Sequence, residues 1–191
     1  MSSDNFKAQD IFKDLTFSKE EINLINSVFQ KVEVKKGDLL LKIGDTTASK
    51  YYILEGCLRS YHINSQGKEF TIQFGIKDWW MTDFSTFLYS EKAIMSIEAI
   101  QDSILYKISK NEEDYLYNKI PKIDRFFRIK LEKAHTSFQK RILANLSQSA
   151  KERYINFMET YPNIEKSIKN YHIASYLGIT TESLSRIRKE L

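Results

Sequence analysis

The sequence has one cysteine, two prolines and six glycines among 191 residues. A lone thiol, Cys57, cannot close an internal disulfide, and it cannot by itself build a zinc site or hold an iron–sulfur cluster. So few glycines and prolines argue against long disordered linkers. No apolar run approaches the roughly 20 residues that a membrane helix needs. The opening stretch, MSSDNFKAQDIFKDL, mixes both charges and lacks the apolar segment of a secretory signal. These absences predict a cytoplasmic protein with no membrane partner. Histidine is scarce too: His62, His135 and His172 are the only three, and none has a ligand-like companion. No metal, haem or other cofactor is therefore expected. There is no nucleophile–base–acid constellation and no Gly-rich phosphate loop, so an enzyme is the weakest reading and no residue is assigned to catalysis.

What is present is ordinary for a globular chain: 42% hydrophobic and 28% charged residues, with 12 Phe, 11 Tyr and 2 Trp. The length allows one sizeable core, or a medium domain with a small one. The net charge of +4 is uneven. Residues 1–120 hold 15 basic and 18 acidic side chains, whereas residues 121–191 hold 14 and 7. A basic C-terminal part points to a polyanion partner, unless its Lys and Arg only solvate helix faces.

Three regions succeed one another. Residues 1–30 read as a helical lead-in, with Ser18 as N-cap and Glu21 at the capping-box position. Residues 31–110 hold short β-rich runs (VEVKK, DLLLKIG, KYYILEGCLRSYHI, EFTIQFG, SIEAI, SILYKI) punctuated by turn signals, with NSQGKE at 64–69 as a hairpin turn. Strands of this length and spacing suggest a sandwich, jelly roll or barrel. The pattern then turns helical. From Pro121 onward, Ile123, Phe127, Leu131, Ala134, Phe138 and Ile142 follow in steps of 4, 4, 3, 4 and 4, one apolar stripe along a helix. Phe126 and Ile129 lie off this stripe and are apolar too. Two apolar faces need two neighbours, and the expected second neighbour is the same helix of another copy. Residues 149–160 form a further amphipathic helix, ended by Tyr161-Pro162-Asn163.

The final stretch, HIASYLGITTESLSRIRKEL, fits a helix-turn-helix. Ala174 allows close helix crossing, Gly178 tolerates the φ > 0 of the turn, and Leu184 and Ile187 face inward with Ile173, Leu177 and Ile179. Thr180 or Thr181 can cap the second helix. The outward set is then Thr180, Thr181, Glu182, Ser185, Arg186 and Lys189. Arg forks onto guanine O6/N7, Glu accepts from cytosine N4, and Thr or Ser reach phosphates or base edges. His172 opens the motif and is expected to meet a phosphate.

These features resemble the Crp–Fnr superfamily of bacterial transcription regulators, over nearly the whole chain. KGDLLLKIGD…KYYILEGCLRSYHINSQGKEFTIQF is similar to its cyclic-nucleotide-binding β-roll, residues 121–146 stand where its dimer helix stands, and IASYLGITTESLSRIRKEL is similar to its helix-turn-helix. The fold class implied is α+β. It has an N-terminal jelly roll (a double-stranded β-helix) over 1–120, a long dimerisation helix over 121–146, and a C-terminal helix-turn-helix domain over 147–191. The dimer residues implied are Ile123, Phe127, Leu131, Ala134, Phe138 and Ile142. The family pattern opens the recognition helix with Arg-Glu-Thr and places an Arg one turn on. Here Thr181, Glu182 and Ser183 stand there, with Arg186 a turn later, so the first Arg is replaced and the operator sequence is expected to differ. The family usually carries a β-hairpin wing after the recognition helix; here it is absent, or the sequence stops short of it, and phosphate contacts are then expected from the helices. The implied partners are double-stranded DNA with a near-palindromic operator, a second copy of the chain, and RNA polymerase, with an unknown small-molecule effector left open.

The family's nucleotide cassette is a Gly-Glu-Leu, a short helix, then Arg-Ser/Thr-Ala. The corresponding stretch is TDFSTFLYSEKAIMSI, residues 82–97. Asp83 stands for the ribose-binding Glu and Phe84 for Leu. The Arg is missing, because Ala93, Ile94 and Met95 occupy its part, and the nearby Lys92 lacks a planar fork. A buried cyclic phosphate without its partner is worse bound by roughly 3–5 kcal/mol. Cyclic AMP is therefore not expected to bind in the usual way. The effector-pocket candidates are Asp83, Phe84, Lys92, Ala93, Ile94, Phe74 and Trp80, with the aromatics more readily read as filling the roll. The competing reading from another class is a ligand-binding or protein-interaction module without DNA binding. Salt separates the two, since DNA binding weakens steeply as salt rises.

Overall fold

The structure is a computed structural model and describes residues 6–47, 49–162 and 164–191. Asn163, at the expected helix end, lies outside the described residues. Packing divides the chain into two compact units. One runs up to Ser60 and resumes over Phe74–Lys130; the other joins Tyr61–Gln73 to Leu131–Leu191.

The β-strands form two four-stranded sheets, in which residues 61–63 and 69–73 belong to the second unit and the rest to the first. One four-stranded sheet has the order β1 (Gln30–Val34), β8 (Ser103–Ile108), β3 (Lys50–Glu55) and β6 (Trp80–Met81). Its pairs are antiparallel, with Val32 opposite Leu105 and Tyr52 opposite Tyr106. The second sheet has the order β2 (Leu39–Leu41), β7 (Ser96–Ala99), β4 (Leu58–Ile63) and β5 (Glu69–Gly75). Strand β3 shows how the sequence makes two cores from one sheet. Its period-2 alternation sends Tyr51 and Ile53 into one apolar cluster with Leu41, Leu58, Ile97 and Leu105 from both sheets. Tyr52 and Leu54 point the other way, into a cluster with the helical lead-in. Strands buried on both faces read as continuous apolar runs, and YYIL is one.

Helices cover that second face. A 3-10 turn (Ala8–Phe12) precedes α1 (Lys19–Val28). Ser18 and Glu21 form the capping box read from the sequence. Helix α3 (Lys110–Lys119) has the same device at Ser109 and Glu112. Leu116, Ile120 and Ile123 are fully buried there, each contributing about 1.5–3 kcal/mol by removal from water. Between β3 and β4, Gly56 has φ 92°, and a Cβ there would lie 2.5 Å from the Asp102 carbonyl oxygen, so only glycine fits. Lys50 is buried in an ion pair with Glu113, and its ammonium lies 4.9 Å and 4.6 Å from the ring centroids of Phe87 and Phe127. Burial holds the Lys50 pKa below the ordinary lysine range, against the pull of Glu113.

Helix α4 runs over Pro121–Ser147, roughly 40 Å at 1.5 Å per residue. In the second unit follow α5 (Ala150–Thr160), capped by Ser149 with Glu152, then α6 (Asn170–Leu177) and α7 (Thr181–Lys189). Their small core joins Tyr154, Phe157, Tyr161, Ile173, Ala174, Leu177, Leu184 and Ile187. Phe157 anchors it, with ring centroids 5.3 Å from Tyr161 and 5.5 Å from Tyr176. Among the described residues no helix is long and apolar enough to cross a membrane.

Candidate nucleic-acid interface

Helices α6 and α7 meet at a turn whose chemistry matches its geometry. Gly178 closes α6 at φ 67°, the left-handed region that glycine enters freely. The Ile179 amide then donates to the Ala174 carbonyl at 3.0 Å. Thr180 is the N-cap of α7, its hydroxyl accepting the Ser183 amide hydrogen at 3.2 Å. Such a cap is worth about 1 kcal/mol. Leu184 and Ile187 are buried beneath the helix. Thr180, Glu182, Ser185, Arg186 and Lys189 are exposed, and Thr181 is half-buried. Five of the six residues of the outward set are thus exposed. Hydrogen bonds from its own amide and from the Thr180 and Thr181 hydroxyls hold the Glu182 carboxyl below the usual range, so it is an anion at neutral pH.

Two basic residues that the charge count leaves to a polyanion or to solvent are tied into the fold instead. Arg188 donates from Nε to the Tyr154 hydroxyl at 2.9 Å and from Nη1 to Asn170 Oδ1 at 2.7 Å. Arg153 donates to the Leu177 carbonyl at 3.1 Å, at the open end of α6. Both lock α5 to the helix-turn-helix. Sequence spacing gave no sign of either, because an arginine's partners are set by tertiary contact. His172 needs a correction. It is 7% exposed, with its ring against Tyr171, and a buried ring is not presented to a phosphate.

The effector region also departs from expectation. Asp83 is fully buried and is the N-cap of α2 (Phe84–Tyr89). Its Oδ1 accepts from the Ser85 and Thr86 amides at 3.0 and 3.3 Å, and its Oδ2 from those of Ile94 and Met95 at 2.9 and 3.2 Å. A carboxylate has about four lone-pair sites, and here four backbone donors fill them. Asp83 is therefore a clamp on its own loop and not a free ribose acceptor. Ala93 packs into the inter-sheet cluster. Phe74 is buried, whereas Phe84, Lys92 and Ile94 are exposed. Trp80 turns away from the roll: strand alternation sends Trp79 to the inter-sheet cluster and Trp80 to the helix side, 4.7 Å from Phe127 and 5.3 Å from Tyr52. The seven candidates do not form one pocket. The roll holds Arg59, fully buried, with its Nε 3.0 Å from Glu98 Oε1, so that cation already faces a protein carboxylate.

Helix α4 splits the expected dimer residues. Ile123 is 0% and Phe127 9% exposed within the chain's own aromatic cluster, so neither can form a seam with another copy. This corrects the upper third of the stripe. Leu131 and Ile142, at 53% and 55% exposed, and Ala134 and Phe138 with them, lie open. Leu143 and Leu146 are exposed too and were not foreseen.

Residues 31–119 match the cyclic nucleotide-binding domain. Electron transport regulator A of Shewanella oneidensis is 25% identical over 186 residues, spanning 90% of this chain and 73% of that protein. Regulatory protein HlyX of Actinobacillus pleuropneumoniae is 26% identical over 184 residues, spanning 90% and 76%. The solved structure of FixK2 from Bradyrhizobium japonicum superposes with a TM-score of 0.73 at 17% identity, covering 86% of this chain and 84% of that one. The chain thus holds a cyclic nucleotide-binding-type domain over just under half of its length, is similar over nine-tenths of it to these regulators, and shares the fold of the FixK2 structure.

Proposed function

We propose that the protein is a homodimeric, sequence-specific DNA-binding transcription regulator. Residues 1–120 serve as its effector domain, 121–146 as its dimerisation helix and 147–191 as its DNA-binding domain. The observation that carries this reading is the face of α7: Glu182, Ser185, Arg186 and Lys189 stand exposed above a buried Leu184 and Ile187, on a turn that Gly178 and Thr180 fix. Arg186 reads a base edge. Lys189 and the hydroxyls of Thr181 and Ser185 hold the backbone, and anionic Glu182 favours a cytosine N4 donor and repels a misplaced phosphate. Two such helices, one from each copy, enter successive major grooves about 34 Å apart on a near-palindromic operator. The open apolar stretch of α4 from Leu131 to Leu146 supports pairing between copies. The effector domain works without cyclic AMP held in the usual manner. RNA polymerase is the further partner, and a small-molecule effector is the remaining variable.

Selection of genomic fragments by the purified protein, at near-physiological salt and without added ligand, tests the reading. The expected result is one shared two-fold-symmetric site whose affinity falls steeply with salt. Binding only to protein, insensitive to salt, would replace it with an interaction module.

A further inference from the structure

Strand β5 is the outermost strand of its sheet. The outer edge of such a strand carries backbone groups that need partners. In the compact unit that joins residues 61–73 to the C-terminal helices, the partners come from the helices. Ser175, in the middle of α6, accepts the Thr71 amide hydrogen at 2.8 Å and donates its own hydroxyl hydrogen to the Glu69 carbonyl at 2.9 Å. One hydroxyl thus imitates the next strand of a ladder. Arg141 on α4 donates from Nη1 to the Ile72 carbonyl. Its guanidinium also lies 5.0 Å from the ring centroid of Tyr176, the neighbour of Ser175, and 5.4 Å from that of Phe138. A strand edge, the long helix and the first helix of the helix-turn-helix therefore meet at Ser175 and Arg141.

Neither residue lies on the outward face of α7, and Thr71 is buried, so solvent does not compete freely for these bonds. Hydrogen bonds are directional, and two from one short side chain fix both the place and the rotation of α6 along β5. We propose that Ser175 and Arg141 are positioning residues for DNA binding. They fasten the helix-turn-helix to the β4–β5 hairpin and so set the spacing at which two recognition helices meet two half-sites. The proposal rests on the DNA-binding reading above.

The test uses the full-length protein and its Ser175→Ala variant, with Arg141→Gln as an independent second break. Hydrogen exchange at the Thr71 amide reads the fastening without any DNA. Affinity is then measured for the selected operator, for its single half-site, and for operators with one to three base pairs inserted or removed at the centre. The expected result is faster Thr71 exchange in Ser175→Ala, unchanged half-site affinity, and about tenfold weaker binding at the native spacing for two lost hydrogen bonds. The preference for native spacing should shrink by the same factor in both variants. A merely structural role would weaken half-site and operator alike and keep the spacing preference; that outcome overturns the proposal. Tighter operator binding by Ser175→Ala also overturns it, since the fastening would then restrain binding. Thr71 exchange unchanged in Ser175→Ala removes the fastening itself. A wild-type protein that binds no DNA, with the Thr71 bond intact, instead removes the DNA-binding reading and the positioning role with it.

Discussion

The buried Asp83 carboxylate accepts the amide hydrogen of Ile94 at 2.9 Å, eleven residues further along the chain. With Met95 on the same oxygen and Ser85 and Thr86 on the other, it pins both ends of the α2 segment. The residue most like a nucleotide ligand is thus already saturated by its own backbone. Cyclic AMP and cyclic GMP are expected to give no heat in titration calorimetry and no shift in melting temperature at millimolar concentration. A saturable binding isotherm for either would show that this loop opens.

Arg186 and Arg188 stand two residues apart and should fail in different ways. Arg186→Ala is expected to leave the fold intact and to relax base preference at one position of each half-site, by about 1–3 kcal/mol. Arg188→Ala breaks the bonds to Tyr154 and Asn170 and should lower the melting temperature of the C-terminal unit without singling out one base. Binding profiles over randomised half-sites, with circular dichroism melts, separate the two. An unchanged profile for Arg186→Ala would move base reading to another residue.

Helix α4 should likewise divide at its middle. Charge placed at the open positions, as in Leu131→Glu with Ile142→Glu, is expected to give folded monomers with weakened operator binding. Phe127→Glu puts a charge among Phe12, Trp80, Tyr117 and Phe126, and is expected to unfold the N-terminal unit, at a cost of several kcal/mol. Sedimentation velocity and thermal melts distinguish these results. Dimers that persist in the Leu131/Ile142 variant would place the seam elsewhere.

Glu113 neutralises Lys50 in a buried site. Glu113→Gln leaves the ammonium without its carboxylate, and the expected loss is about 3–5 kcal/mol in urea denaturation. Burial lowers the folded-state pKa of Lys50 below 10.5, so the unfolded chain holds that proton more tightly. Stability of the variant should then rise as pH climbs from the folded-state value toward 10.5 and fall as the lysine is forced to stay charged. A pH-independent loss would assign the effect to packing.

Cys57 lies buried after the Gly56 turn, with its thiol pushed up to about 12 by burial. Only the thiolate attacks alkylating reagents. Native protein at pH 8 is expected to react with iodoacetamide far more slowly than the urea-unfolded chain, and Cys57→Ser should bind DNA as the parent does. Rapid native alkylation would mark this thiol as reactive.

Local rules carried much of this protein. The Ser18–Glu21 box, the Gly178 turn and the Thr180 cap depend on residues within five positions of one another, and the sequence displays such neighbours directly. That a β-rich region precedes a long helix was legible from period, since a period of 2 and a stripe in steps of 3 and 4 cannot be mistaken for each other over such lengths, whereas the β-roll itself was implied by the family resemblance. What the sequence could not show was which partner each face would take. The stripe from Ile123 to Ile142 is uniform in hydropathy, yet packing against Phe12 and Trp80 encloses its first turns and leaves the rest open. Asp83 looks like a ligand in line with its motif, and only the folded loop brings the Ile94 and Met95 amides to it. Arg141, Arg153 and Arg188 count equally toward a basic surface until tertiary contacts tie each to a carbonyl, a hydroxyl or an amide oxygen. Hydropathy and short-range capping are properties of neighbours in the chain; the partner of a long polar side chain is fixed only when the fold brings distant segments within about 3 Å.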